Sequence, residues 1–195
     1  MNERTFHASN AKKLEDPERL SWLPPADVVG ALHLHKGMTV ADIGAGTGYF
    51  AIPIAKELGS SGKVLAVDLQ EGMLDFLREK LEKLDSISNI ELIRGESLRT
   101  TLSSRSVDVV FMANVWHELD DHTSTLSEVR RILRPDGRLA ILDWRTDVPQ
   151  PPGPPPGHRI SSDVVANVLR ENGWIPLHAL NVGTYSYLIQ STFAV

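Results

Sequence analysis

VADIGAGTGYFA, residues 40–51, runs a short apolar segment into glycines at three alternate positions, Gly44, Gly46 and Gly48. The segment Thr39–Ile43 has the character of a strand. Beyond the glycines, Tyr49, Phe50, Ile52, Ile54 and Ala55 resume as a helix. Glycines at such a junction let the backbone turn sharply and approach a ligand with no side chain in the way. The helix start behind them offers unpaired N–H groups to an anion. A second apolar segment, residues 63–67, ends in Asp68, whose carboxylate can accept hydrogen bonds from both hydroxyls of a ribose. The pattern predicts a nucleoside site at the carboxyl end of a strand.

Working outward, apolar runs recur at residues 39–43, 64–67, 90–93, 107–112 and 138–142. They are continuous rather than alternating, which suits parallel strands covered on both faces. Between them lie amphipathic stretches. Met73, Leu74, Leu77, Leu81 and Leu84 share one face of a helix over 71–84. Leu126, Val129, Ile132 and Leu133 do so over 123–133, before Pro135-Asp136-Gly137 breaks the pattern. A helix over 161–172 stops at Gly173, and two strands follow over 174–182 and 184–193, with Gly183 as a tight connection. The expected fold class is α/β: a doubly wound, mostly parallel seven-stranded sheet with helices on both faces and an antiparallel C-terminal strand.

The expected organisation is one domain over 1–195. Residues 1–36 form a helical cap, with helices starting near Asp16-Pro17-Glu18 and spanning 27–34. Residues 37–144 form the cofactor-binding core, 145–160 a proline-rich loop, and 161–195 the last helix and strand pair. The chain has 195 residues, 42% hydrophobic and 23% charged, as expected of a soluble globular protein. Its net charge of −5 offers no electrostatic footprint for nucleic acid. No apolar run is long enough to span a membrane, and MNERTFHASNAKK lacks an apolar signal core, so a cytoplasmic protein is expected. Cysteine is absent, which excludes disulfides, thiolate metal sites and cysteine nucleophiles; no metal site is expected.

A dinucleotide fingerprint fits the glycines poorly. Gly46-x-Gly48-x-x-Ala51 satisfies it, but Gly44-Ala45 then stands as an insertion after the strand; starting at Gly44 puts Tyr49 where the third glycine belongs. Asp42-x-Gly44-x-Gly46-x-Gly48 describes the loop better, and with it the sequence resembles the class I S-adenosylmethionine-dependent methyltransferases. The resemblance continues through VLAVDLQEGML (64–74), RGES (94–97), VDVVFMANVWHEL (107–119) and EVRRILRPDGRLAILDW (128–144). Within that family the chain looks closest to the type 11 branch, which contains the quinone-biosynthesis and arsenite methyltransferases. The absence of cysteine excludes the arsenite chemistry, which depends on it.

The resemblance implies S-adenosyl-L-methionine as cofactor, S-adenosyl-L-homocysteine as product, and contacts from Asp42, Gly44, Ala45, Gly46, Gly48, Asp68, Leu69, Glu96, Ser97 and Asn114. Asp42 would face the ammonium, Leu69 the adenine face and Glu96 the adenine amino group. Each has a plainer reading. Asp68 would also serve as a helix cap, and Glu96, at the start of a short helical segment, would also simply be solvated. At the exit of the fourth strand, Trp116 either faces the reacting methyl, where an aromatic ring favours a cation, or packs in the core. His117 is either a general base or a shaper of the pocket. Phe6, His7 and Trp22 are expected to cap the site. Six prolines over 148–157 are expected to wall it, and Arg159 is either an anion clamp or a surface cation. The partner expected is a small molecule, without nucleic acid or membrane. The alternatives are a methyltransferase of protein or RNA, a non-catalytic cofactor-binding protein, and a nicotinamide enzyme.

Overall fold

A computed structural model describes residues 6–84, 86–149 and 152–193. Gln150 and Pro151 of the proline-rich segment, residues 1–5 of the expected cap and residues 194–195 of the C-terminal segment lie outside the described residues. The strand β1 (Thr39–Ile43) runs between β2 (Lys63–Asp68) and β4 (Val107–Ala113), parallel to both. Outside them lie β3 (Ile90–Arg94) and β5 (Leu133–Trp144), also parallel. The sheet is completed by β8 (Ser186–Phe193), antiparallel to β5, and by the short strands β6 (Trp174–Pro176) and β7 (Leu180–Val182) on its far side. The order is β3-β2-β1-β4-β5-β8-β6, with β7 also on β8. The connections reverse direction across the sheet between β1 and β4, where open α/β sheets leave a crevice at the carboxyl ends.

The strands read as continuous apolar runs because both faces are covered. From β1, Val40 joins one core with Val28, Leu32, Ile54, Leu58 and Leu77. Apart from Leu32, which caps α2 (Pro25–Ala31), these come from α2, α3 (Ala51–Leu58) and α4 (Glu71–Leu81). Ala41 and Ile43 face a second core built by Leu126, Val129 and Ile132 of α5 (His122–Ile132) and Val165 and Leu169 of α6 (Ser162–Glu171). Each fully buried Leu or Ile in these layers contributes roughly 1.5–3 kcal/mol. Helix starts follow local chemistry: Asp121 accepts from Ser124 N at 2.9 Å and Ser161 accepts from Val164 N at 3.4 Å.

Several expectations are corrected. The sheet has eight strands rather than seven, because the expected strand over 174–182 is split. Pro176 pairs with Ser191 and Leu180 with Leu188, so four steps on one strand face three on the other. The extra residue bulges, as an outer strand containing proline can do without losing a ladder bond. The last parallel strand starts at Leu133, not Arg138, and Pro135-Asp136-Gly137 loops out of its ladder where the register shifts. Helix α4 ends at Leu81, short of the expected residue 84, and the first two α-helices are Arg19–Trp22 (α1) and Pro25–Ala31, offset from the expected spans. Glu96 does not begin a helix. It closes a tight turn with Arg99, whose N–H donates to its carbonyl at 2.9 Å. A 3-10 helix at Ala8–Glu15, which has no clear period in sequence, lies ahead of α1. No helix of the described residues is long and apolar enough to cross a membrane.

Candidate active site

The glycine loop is anchored before any ligand is considered. Gly44 and Ala45 both donate N–H to Val67 O, at 2.8 and 3.0 Å, tying the end of β1 to β2. Gly46 N–H donates to Asp68 Oδ2 at 2.9 Å, and Gln70 N–H donates to Asp68 Oδ1 at 2.9 Å. The three glycines sit at φ +76°, +54° and +81°, the left-handed region that a Cβ disfavours. At Gly44 a Cβ would stand 2.3 Å from Val115 Cγ2, and at Gly48 2.3 Å from Leu77 Cδ1. Gly48 therefore lets α4 close on the loop.

Above the loop, at the carboxyl edge of β1, β2 and β4, a cavity of about 840 Å³ opens, the size of a small-molecule site. Asp42, Gly44, Ala45, Gly46, Asp68, Leu69, Glu96, Ser97, Asn114 and His117 all line it. Gly48 and Trp116 do not. Trp116 is fully buried in the second core and its indole stacks on His122, ring centroids 4.4 Å apart. That corrects the expectation that Trp116 faces a reacting group: the turn after β4 directs the indole inward and the next residue, His117, outward to the cavity.

Among the described residues three wall oxygens are buried without a partner, Asp42 Oδ2, Asn114 Oδ1 and Thr125 Oγ1. Asn114 holds a left-handed φ of +57° at the end of β4 while its N–H donates to Leu142 O at 2.8 Å. Burial, and then the nearby Asp68, push the Asp42 carboxyl up to about 7. Burial also raises Asp68, opposed by the N–H donors of Gln70, Gly46 and Leu69. Glu118 is pushed up to about 7, first by burial, against the pull of His117 and the Phe6 N–H. His117 is 5% exposed, and its Nδ1 lies 2.8 Å from Oδ1 of the fully buried Asp143. Asp143 Oδ2 accepts from His117 N at 3.0 Å and Oδ1 from Trp144 N at 2.8 Å.

The N-terminal segment crosses the cavity as a strap. Phe6 N–H donates to both carboxylate oxygens of Glu118 at 3.3 Å. Gln70 accepts from Ala8 N at 2.8 Å and donates to Phe6 O at 2.7 Å. Glu15 holds the Thr47 hydroxyl and the Lys80 ammonium, the latter at 2.8 Å. The cavity is also lined by Arg19, Trp22, Tyr49, Phe50, Trp144, Pro152–Pro155 and His158. Trp22 and Trp144 pack with centroids 5.6 Å apart, and a Cβ on Gly153 would meet the Trp144 indole at 2.7 Å. Arg159 braces this wall by donating to Pro154 O at 2.9 Å.

Arg19 and Asp143 are functional candidates that the sequence reading passed over. The Arg19 guanidinium lies 3.8 Å from the Tyr49 ring centroid and donates to Leu14 O at 3.2 Å. Burial lowers its pKa to about 10. A lone arginine in a short helix reads as a solvated charge, and no periodicity marks it. Asp143 was visible only as the polar residue following the apolar run 138–142. Among the described residues no group of three or more His, Asp or Glu could hold a metal ion.

A family model described as a methyltransferase domain matches residues 34–190. A demethylmenaquinone methyltransferase from Listeria welshimeri is 34% identical over 122 residues, 63% of this chain and 50% of that protein. The chain thus spans about half the length of such relatives. The crystal structure of a SAM-dependent methyltransferase from Aquifex aeolicus superposes with a TM-score of 0.90 at 35% identity, covering 96% of this chain and 98% of that one. An arsenic(III) S-adenosylmethionine methyltransferase from Chlamydomonas reinhardtii gives a TM-score of 0.65 at 25% identity, over 82% and 64% of the two chains. The chain belongs to the S-adenosylmethionine-dependent methyltransferases, with its methyltransferase domain over residues 34–190.

Proposed function

We propose that the protein transfers a methyl group from S-adenosylmethionine to a small, planar, largely apolar acceptor. The observation that carries this reading is that two buried, unpartnered oxygens, Asp42 Oδ2 and Asn114 Oδ1, belong to residues lining the same cavity as Asp68. Unsatisfied buried acceptors cost about 1–3 kcal/mol each. An ammonium group beside them would supply the missing donors and return Asp42 to its charged form. Asp68, with further lone pairs beyond those used by Gly46 and Gln70, suits a ribose diol. Leu69 and Leu98, exposed by 39% and 45% at the cavity edge, suit an adenine face beside Glu96 and Ser97. Arg19 suits the carboxylate of the methionine moiety, a charge that a buried guanidinium with spare donors favours. The residues present therefore fit the cofactor.

Bound there, S-adenosylmethionine supplies a methyl group already activated by a sulfonium, so the protein's work is orientation and exclusion of water. Such positioning supplies on the order of 7–11 kcal/mol. The strap formed by residues 6–15 covers one side of the cavity, and the proline segment with Trp22 and Trp144 forms the other. The indoles of Trp22 and Trp144 with the neighbouring prolines present flat apolar surface, which suits a planar acceptor. The demethylmenaquinone methyltransferases among the relatives make a hydroxylated aromatic ring the first candidate.

Calorimetric titration tests the reading. S-adenosylhomocysteine is expected to bind the wild type with no response to NAD, and Asp68→Ala to weaken it roughly ten- to a hundredfold, the worth of hydrogen bonds to a charged group. Unchanged affinity in that variant would sink the ribose assignment. Release of S-adenosylhomocysteine across phenols, quinols, amines and thiols then identifies the acceptor.

A further inference from the structure

We propose that Asp143 is a positioning residue that sets His117 as general base, and that the acceptor is therefore one whose nucleophilic atom carries a weakly acidic proton, such as a phenol or an enol. The inference deepens the methyltransferase reading and rests on it. Each oxygen of Asp143 already accepts a backbone N–H, from Trp144 and from His117 itself. The carboxylate is fully buried at the end of β5 and its Oδ1 faces His117 Nδ1 at 2.8 Å. An acceptor fixed in that way puts the hydrogen on Nδ1 and the basic lone pair on Nε2. The ring lines the cavity while its own main chain is tied to Asp143, so tautomer and orientation are set together.

The neighbouring residue adds a second observation. Trp144, adjacent to Asp143 on β5, lines the cavity beside Trp22 and the proline segment. One strand end thus supplies both the flat wall suited to an aromatic acceptor and the carboxylate behind the base. The proton passes from the acceptor atom to Nε2, the acceptor keeps the bonding pair, and the new imidazolium faces the Asp143 carboxylate. A tertiary amine or a thioether has its lone pair ready and needs none of this. Asp143 faces Nδ1, Glu118 Oε1 is 4.0 Å from Nε2, and the other charged or titratable groups lining the cavity are Asp42, Asp68, Glu96, Asp120, Asp121, His7, His158, Lys13, Arg19 and Tyr49.

The test uses the full chain saturated with S-adenosylhomocysteine and reads the ring nitrogens of His117 by 15N NMR across neutral pH. The wild type is expected to show the Nδ1–H tautomer, and Asp143→Asn to move the hydrogen to Nε2 while S-adenosylhomocysteine affinity stays within about twofold. With phenols and 1,3-diketones set against tertiary amines and thioethers, methylation is expected only for the first group. Asp143→Asn is expected to lower kcat by about 10²–10⁴ and to abolish the acid limb of the pH–rate profile. His117→Gln, which leaves Asp143 in place, is expected to do the same and covers the case in which Asp143→Asn fails to fold. An Nε2–H tautomer in the wild type, or an imidazolium persisting to alkaline pH, would overturn the proposal. So would variants with wild-type kcat and pH profile, or turnover of amines and thioethers alone. If no acceptor of the panel is methylated, the tautomer decides. Failure of the wild type to bind S-adenosylhomocysteine counts instead against the methyltransferase reading.

Discussion

Asp42 carries a cost in the ligand-free molecule that a cation removes. Its carboxyl is pushed up to about 7 by burial, so at neutral pH about half the molecules hold a proton there. An ammonium beside it lowers that pKa and expels the proton. S-adenosylhomocysteine binding near pH 7 is thus expected to release up to about half a proton from this site. Calorimetry in buffers of different ionisation enthalpy measures it, and Asp42→Asn is expected to remove that contribution. At this scale the sequence was partly legible. Asp42, Asp68 and Asn114 were readable because the backbone pattern itself, a strand end against glycines, fixes where they stand. Arg19 and Asp143 were not, since their significance comes from tertiary partners, Tyr49 for one and His117 for the other. Trp116 misled because a one-residue change of direction in a 3-10 turn, Trp116–Glu118, decides which side chain meets the cavity.

The strap and the outer strand show what periodicity can and cannot convey. Parallel strands buried on both faces announce themselves as apolar runs, and β1 to β4 stand close to where the sequence put them. The 3-10 helix Ala8–Glu15 has no such signature, because it is held by side chains from elsewhere, notably Gln70. Gln70→Ala removes both of its bonds to the strap, each worth about 0.5–1.5 kcal/mol. It is expected to weaken S-adenosylhomocysteine binding roughly three- to tenfold, mainly by faster dissociation. Stopped-flow displacement checks this, and an unchanged dissociation rate would remove the strap from the account. The split of the expected C-terminal strand was likewise invisible, since the bulge after Pro176 is a matter of register with β8 rather than of composition.

At the level of the whole fold, two carboxyls among the described residues have folded-state pKa values raised to about 7, those of Asp42 and Glu118. Between the ordinary carboxylate range, ~4, and that value the folded chain binds more protons than the unfolded one. Stability from this source is fully present below ~4 and is lost as pH rises through about 7. The ligand-free protein is therefore expected to melt at a higher temperature near about pH 5.5 than near about pH 8. Saturating S-adenosylhomocysteine should flatten the slope by returning Asp42 to its charged form. Scanning calorimetry at the two pH values decides it, and a Tm that rises with pH over this interval would contradict the assignment.

Two segments far apart in sequence meet at Trp22. Its carbonyl accepts the N–H of Thr184 at 2.8 Å, and Gly183 approaches so closely that a Cβ would stand 2.3 Å from that same oxygen. Trp22 is part of the cavity wall, yet the turn that grips it joins β7 to β8. During synthesis the wall cannot be secured until residue 184 has left the ribosome, long after the glycine loop and its strands are made. Ligand binding consequently reports that the turn after β7 has folded onto the wall, and not merely that the glycine loop has formed.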